Sequence, residues 1–482
     1  MLFNSIEYLL FLPLIFCLYW FVFNKSLKWQ NGLLLLASYF FYGWWSWKFL
    51  ALLILSTLLD YLYGFGVASD NRKKSKLFLW LSVINNLGIL GVFKYFNFFS
   101  LEFQLLLSKA GIHTEPLLLN VALPIGISFY TFHGMSYVFD IYRGERKPVK
   151  NFEDYAVFVS FFPLLVAGPI ERANHLLPQV QKTRTFNYLQ AVEGTRLIIW
   201  GMFKKVVIAN SLAIIANDAF KNYHNYNAIS LIIGILSFSF QIYCDFSGYS
   251  DIALGSAKLF GFELLSNFKF PYFSRDIAEF WRRWHISLSS WFKDYLYFPL
   301  GGSKNGRAKM IRNTFIIFLV SGFWHGASWK FIAWGAIHAC GFLPLAFLNR
   351  NRKHVTDIVA QNKKLPSLRE LAQMIGTFSF VTFAWIFFRA DDIQQAFSYI
   401  KRILTSIFNN PSQLMHTNNL HGSIALLYIL PLILLDWWFR RNERELRTSK
   451  YALINWLATN IMVVLILYNF FEKATTFIYF QF

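Results

Sequence analysis

Two histidines occupy settings in which an imidazole could move protons. His325 lies in Gly322-Phe-Trp-His-Gly-Ala-Ser-Trp329, between an apolar run over 313–323 and another over 330–348. The first run is too short to span a bilayer alone, so the Trp324-His325-Gly326 turn is expected well within the membrane thickness. An ionisable side chain at that depth is costly and marks a functional site or a water-filled cavity. A neutral imidazole can take a proton from a hydroxyl near pH 7, as general-base catalysis of acyl transfer requires, and the flanking glycines let a substrate approach closely. A buried histidine satisfied by a backbone carbonyl at a helix break fits the same spacing.

His285 belongs to a stretch from Ser274 to Trp291 that reads as one helix, with Ser274 as its N-cap and acidic residues in its first turns. Trp281, Trp284, His285, Leu288 and Trp291 recur at three- and four-residue spacing, while Arg282, Arg283, Ser289, Ser290 and Lys293 fall largely on other faces. An amphipathic, aromatic-rich helix at the cytoplasmic interface fits this pattern, with His285 pointing with the tryptophans. His285 then reads either as catalytic or as an imidazole tip hydrogen-bonded at headgroup level. Arg282 and Arg283 could grip the phosphates of a nucleotide-bearing donor or of anionic lipid headgroups.

Asp245 and Asp251 end a long apolar segment six residues apart, which is not one helix face, so capping or a local polar network suits them better than an acid–base pair. His133 and His338 lie within apolar helices and read as packed or hydrogen-bonded. Zinc spacing, a P-loop, a dinucleotide fingerprint and a GxSxG elbow are all missing from the sequence, which removes metal, ATP, nicotinamide and serine-hydrolase readings.

The elements that carry these residues must be membrane helices. With 56% hydrophobic and only 15% charged residues over 482 positions, the chain has more apolar surface than a soluble domain of its size could bury. Runs such as 8–23, 33–45, 77–93 and 424–438 are nearly free of charge, and about a dozen such segments give an all-α, polytopic transmembrane fold. The segment over 6–23 lacks a basic leader and a small-residue cleavage site, so it is expected to be a retained first span. Cys17, Cys244 and Cys340 each sit in an apolar stretch without CxxC spacing and read as packing residues.

The net charge of +20 falls in short loops between apolar runs: 72–76, 143–150, 304–312, 350–364 and 440–447. That distribution matches the positive-inside rule and argues against a nucleic-acid partner. If all five clusters are cytoplasmic, an external N-terminus, paired spans between clusters and an external C-terminus nearly close the topology. The exception is 151–210, where Pro163, Gly168 and Pro169 break an apolar stretch and Lys204 and Lys205 interrupt the following helix. The stretch over 155–170 is expected to be re-entrant or partly embedded, with its freed backbone groups satisfied by protein or a cavity. One integral-membrane domain over 1–482 is expected, without solenoid repeats or matching inverted halves.

Val166-Ala-Gly-Pro-Ile-Glu-Arg172, Tyr243-Cys-Asp-Phe-Ser-Gly-Tyr-Ser-Asp251, the stretch from Phe270-Pro-Tyr-Phe-Ser274 through Trp281-Arg-Arg-Trp-His285 to Gly301-Gly302, Trp324-His-Gly-Ala-Ser-Trp329 and Phe477-Ile-Tyr-Phe-Gln-Phe482 carry a resemblance that covers nearly the whole chain. On these pieces the sequence resembles the membrane-bound O-acyltransferase family, in its bacterial branch of alginate O-acetyltransferase membrane subunits. The resemblance implies a ring of tilted helices around a central funnel, with re-entrant and interfacial helices. It implies His325 as the catalytic residue, a second polar role for His285, and Arg282, Arg283 and Trp284 as contacts for the donor. The implied reaction is acetyl transfer from cytoplasmic acetyl-CoA toward the periplasmic side of a bacterial inner membrane, with no permanently bound cofactor and no metal. There a partner acetyltransferase of SGNH type would modify an exopolysaccharide such as alginate.

The same chemistry on peptidoglycan or another envelope glycan is the nearest alternative. A transporter using its cavity for passage, and acylation of a lysophospholipid, are the readings from other classes. The aromatic tail over 477–482 suits a partner contact or an aromatic-belt anchor.

Overall fold

The computed structural model describes residues 1–304, 306–409, 423–444, 452–470 and Phe477. Every regular element among them is helical. Seven helices are long and apolar enough to cross a membrane: Trp47–Val67, Arg72–Lys109, Tyr188–Lys221, Ala228–Leu259, Trp329–Phe347, Leu368–Arg389 and Leu453–Phe470. Ile6–Val22 and Ile424–Phe439 are shorter and apolar, and other apolar runs of the sequence fold into shorter helices. Polar caps start several elements where the sequence changes character. Asn71 accepts from the amides of Lys73 and Lys74, and Ser367 forms a reciprocal capping box with Glu370.

The chain forms two compact units, Met1–Thr195 with Ala253–Leu265, and Arg196–Ile252 with Ser266–Phe482. In the first, the segment expected to be broken is broken: Phe152–Ser160 stops at Phe161 and Phe162–Leu165 follows, with every residue from Tyr155 to Leu165 outside the two ends' caps buried. The freed amide of Phe162 donates to Ser38 Oγ at 3.0 Å, so protein supplies the partner that a lipid environment cannot. Asp60, buried within Trp47–Val67, accepts from Ser82 Oγ at 2.6 Å and Asn86 Nδ2 at 2.9 Å.

In the second unit, Arg307–His325 and Trp329–Phe347 form an antiparallel hairpin. Its helices approach closely because Gly322 and Gly335 lack side chains. A Cβ on Gly322 would overlap the Phe331 carbonyl, and one on Gly335 the Phe318 carbonyl. The first arm has 19 residues, about 28 Å of helix. Its opening turns, Arg307 to Arg312, carry the basic residues, so the apolar run within it stays the short one expected over 313–323, and this helix is not among the seven long and apolar enough to cross a membrane.

Candidate active site

His325 is the last residue of Arg307–His325, and Gly326 turns the chain toward Trp329–Phe347. A Cβ on Gly326 would collide with the Phe331 ring, so glycine is needed for the turn to close on that side chain. The imidazole, 4% exposed, packs edge-on against Trp334 at 5.1 Å and Phe388 at 5.2 Å between ring centroids. Its neighbour Trp324 stands 4.9 Å away on one side and reaches His285 at 6.0 Å on the other. The two histidines singled out in the sequence, 40 positions apart, thus flank one indole.

His285 reaches that place by a route different from the one expected. The stretch over 274–291 is two short helices, Ile277–Arg283 and Ile286–Phe292, with Asp276 rather than Ser274 as the first cap. His285 itself has φ 44°, the left-handed region that side chains other than glycine enter at a cost. The break has a tertiary cause: Lys269 N donates to Arg283 O at 3.0 Å and Ile286 N to Asn267 O at 2.9 Å, so the 267–269 backbone takes over partners a continuous helix would have used. Ser287 Oγ adds a 2.6 Å hydrogen bond to Asn267 Oδ1. The aromatic stripe is accordingly folded inward rather than laid on a surface, with Trp284, His285, Leu288 and Trp291 all buried.

Around the histidines the side chains are overwhelmingly aromatic. Trp334 stacks on Trp385 at 5.7 Å, Trp385 meets Trp284 at 5.1 Å, and Phe246 meets His285 edge-on at 4.7 Å. Trp334 also touches His338 at 4.8 Å, and neither nitrogen of His338 has a hydrogen-bond partner among the described residues. Such walls exclude water and strengthen any hydrogen bond formed within them. Trp334 with His338 and Trp385 with Phe388 sit at helical four- and three-residue spacing, a signal present in the sequence that reads equally well as ordinary core.

Arg282 and Arg283 point away from this cage. Arg282 donates to the carbonyls of His354 at 3.2 Å and Asn351 at 2.8 Å. Arg283 pairs with Glu279 at 2.9 Å and donates to the carbonyls of Lys269 and Asp357. Trp284 is a wall of the aromatic cluster, between Phe280 at 5.5 Å and Phe268 at 5.1 Å. Glu279, buried, also pairs with Arg275, which reaches Asp357 at 2.9 Å. Partial burial works against the charge on Asp357, but His354 and Arg275 outweigh it and hold its carboxyl below the usual carboxylate range.

Asp245 and Asp251 form the local network expected of them, with partners the sequence did not assign. Lys205 Nζ lies 2.6 Å from Asp245 and Lys204 Nζ 2.5 Å from Asp251. Of the terminal tail, Phe477 is buried against Tyr249 at 4.3 Å rather than presented as a partner contact or belt anchor, and 478–482 lie outside the described residues. Among the described residues no three His, Cys, Asp or Glu side chains gather as a metal site would require.

Residues 41–367, which include both histidines, match the model of the membrane-bound O-acyltransferase family. The chain belongs to the membrane-bound O-acyltransferase family. It is a multi-pass membrane O-acyltransferase, and the transport-only alternative falls. A probable alginate O-acetylase of Pseudomonas syringae pv. tomato is 41% identical over 82% of this chain and 74% of its own length. A peptidoglycan O-acetyltransferase of Helicobacter pylori is 33% identical over 93% of this chain and 91% of its own. A teichoic acid D-alanyltransferase of Bacillus subtilis is 29% identical over 55% of this chain and 68% of its own.

Proposed function

We propose that this acyltransferase moves acetyl groups from cytoplasmic acetyl-CoA toward the outer side of the bacterial inner membrane, for O-acetylation of an exopolysaccharide of the alginate class. The observation that carries the reading is the pairing of His325 and His285 across Trp324 inside an aromatic cage. His325 takes the proton of the attacking hydroxyl as its oxygen bonds to the acetyl carbon. The carbon–sulfur bond then breaks, and the imidazolium returns the proton to the leaving thiolate. His285, held in its left-handed turn, supplies a second polar contact to the reacting groups. Arg282, Arg283 and Trp284 form the donor side, where guanidinium groups already gather carbonyl oxygens of the 351–357 loop and the phosphates of CoA would be received. A periplasmic acetyltransferase of SGNH type passes the group to the polymer.

Peptidoglycan as final acceptor is the second reading, favoured by the relative from Helicobacter pylori, which is covered over more of its length than the alginate relative. The test is the O-acetyl content of secreted polysaccharide and of peptidoglycan in cells carrying wild-type protein or His325→Ala at matched membrane levels. Loss of acetate from polysaccharide alone supports the first reading and loss from peptidoglycan the second. Unchanged acetylation of both would remove His325 from the chemistry.

A further inference from the structure

Lys204 and Lys205 occupy a π-helical stretch, Phe203–Ala209, that interrupts an otherwise continuous helix, and both are buried. Single π-turns inside α-helices occur disproportionately at functional sites. Here the widened turn sends consecutive lysines to two carboxylates of one facing helix, Ala228–Leu259. Lys205 pairs with Asp245, while Lys204 pairs with Asp251 and donates to Ser247 Oγ at 2.9 Å. Between these ties the backbones touch. A Cβ on Gly201 would strike the Gly248 carbonyl, and one on Gly248 the Gly201 carbonyl.

Buried ion pairs contribute little net stability, because desolvating the charges offsets their attraction, and apolar replacements of both partners are often tolerated. Three buried charges, Lys204, Lys205 and Asp245, with the partly exposed Asp251, therefore need another reason. The residues they immobilise supply one. Phe246, next to Asp245, has its ring on His285 at 4.7 Å. Tyr243, two before Asp245, lies under Lys204 Nζ at 5.8 Å, donates to Asp436 Oδ2 at 2.8 Å and packs on Trp284 at 6.3 Å. The tied helix thus braces both His285 and the residue before it, at the point where the backbone is strained.

We propose that the Lys205–Asp245 and Lys204–Asp251 ties are a positioning device for His285. They fix the facing helix in the one rotation that holds Phe246 and Tyr243 against the His285 turn. The inference rests on the acyl-transfer reading above.

The test compares three proteins in membrane vesicles, reading thiol release from acetyl-CoA in the presence of polymer and partner, with abundance by immunoblot. Asp245→Asn removes the carboxylate charge 2.6 Å from the buried Lys205 Nζ and is expected to lower abundance. Lys205→Met with Asp245→Leu removes both charges and is expected to restore abundance while kcat stays down on the order of tenfold or more, with KM for acetyl-CoA unchanged. Phe246→Leu keeps both ion pairs and is expected to reproduce that kcat loss at wild-type abundance. Wild-type kcat in the double variant, or in Phe246→Leu, would overturn the positioning role while leaving acyl transfer standing. Should the double variant fail to accumulate, Lys204→Met with Asp251→Leu makes the same comparison at the other tie, and wild-type kcat there would overturn the proposal. Absence of thiol release in the wild-type vesicles would overturn both readings together.

Discussion

Buried histidines occur in both units of this acyltransferase, in opposite company. In the first unit His133 accepts the amide of Glu171 at 3.0 Å, and the Glu171 carboxylate binds the Leu265 amide at 2.6 Å and His175 Nδ1 at 2.7 Å. These are specific polar partners, and they lock loop backbone to helix. In the second unit His325 and His338 are enclosed by rings: Trp334 touches both, Phe388 the first, Phe280 and Trp281 the second. The first arrangement ties backbone in place through specific hydrogen bonds, whereas the second sets an imidazole among aromatic faces, the water-poor setting that the base proposed at His325 would need. Neither burial nor aromatic neighbours alone assigns a role, since His338 shares the company of His325; what sets His325 apart is Trp324, which also reaches His285.

The comparison can be broken at its aromatic end first. Trp324→Leu removes the indole shared by His285 and His325 and is expected to lower acetyl transfer about ten- to a hundredfold at unchanged protein level, by thiol release in membrane vesicles. Transfer at the wild-type rate would mean the two histidines act independently. Glu171→Ala strands the Leu265 amide and the His175 ring, and is expected to cost about 1–3 kcal/mol of stability in detergent-solubilised unfolding while leaving transfer per folded molecule unchanged. A fall in specific activity would bring the first unit's joint into the chemistry. His338→Leu is expected to have the smallest effect, within about 1 kcal/mol of wild-type stability, because it exchanges a buried imidazole whose nitrogens have no partner among the described residues for an apolar side chain of similar size. A large loss of transfer there would extend the proposed site beyond His325 and His285.

Much of this arrangement was legible in residue order. Apolar runs announced the helices, Pro163 and Gly168 announced the broken segment, and the histidines singled out at 285 and 325 lie on either side of Trp324. What order could not supply was set at long range. Nothing between 274 and 291 signals a break at His285, since the competing hydrogen bonds come from Asn267 and Lys269. The lysines at 204 and 205 meet their aspartates across about 40 residues, and a π-turn has no sequence mark that would assign one lysine to each. The start of Arg307–His325 was not legible either, because its first two turns are basic and lack the apolar spacing that marks the rest of the helix.

The left-handed backbone at His285 also decides what can be learned by mutating it. Only a few side chains other than glycine tolerate that conformation, asparagine and aspartate foremost, and branched ones tolerate it least. A deep mutational scan will therefore score valine or isoleucine at 285 as damaging whatever the imidazole does, and the tolerated set will read as a Ramachandran filter laid over a chemical one. Asparagine, which passes the first filter, is the substitution whose phenotype speaks about the second.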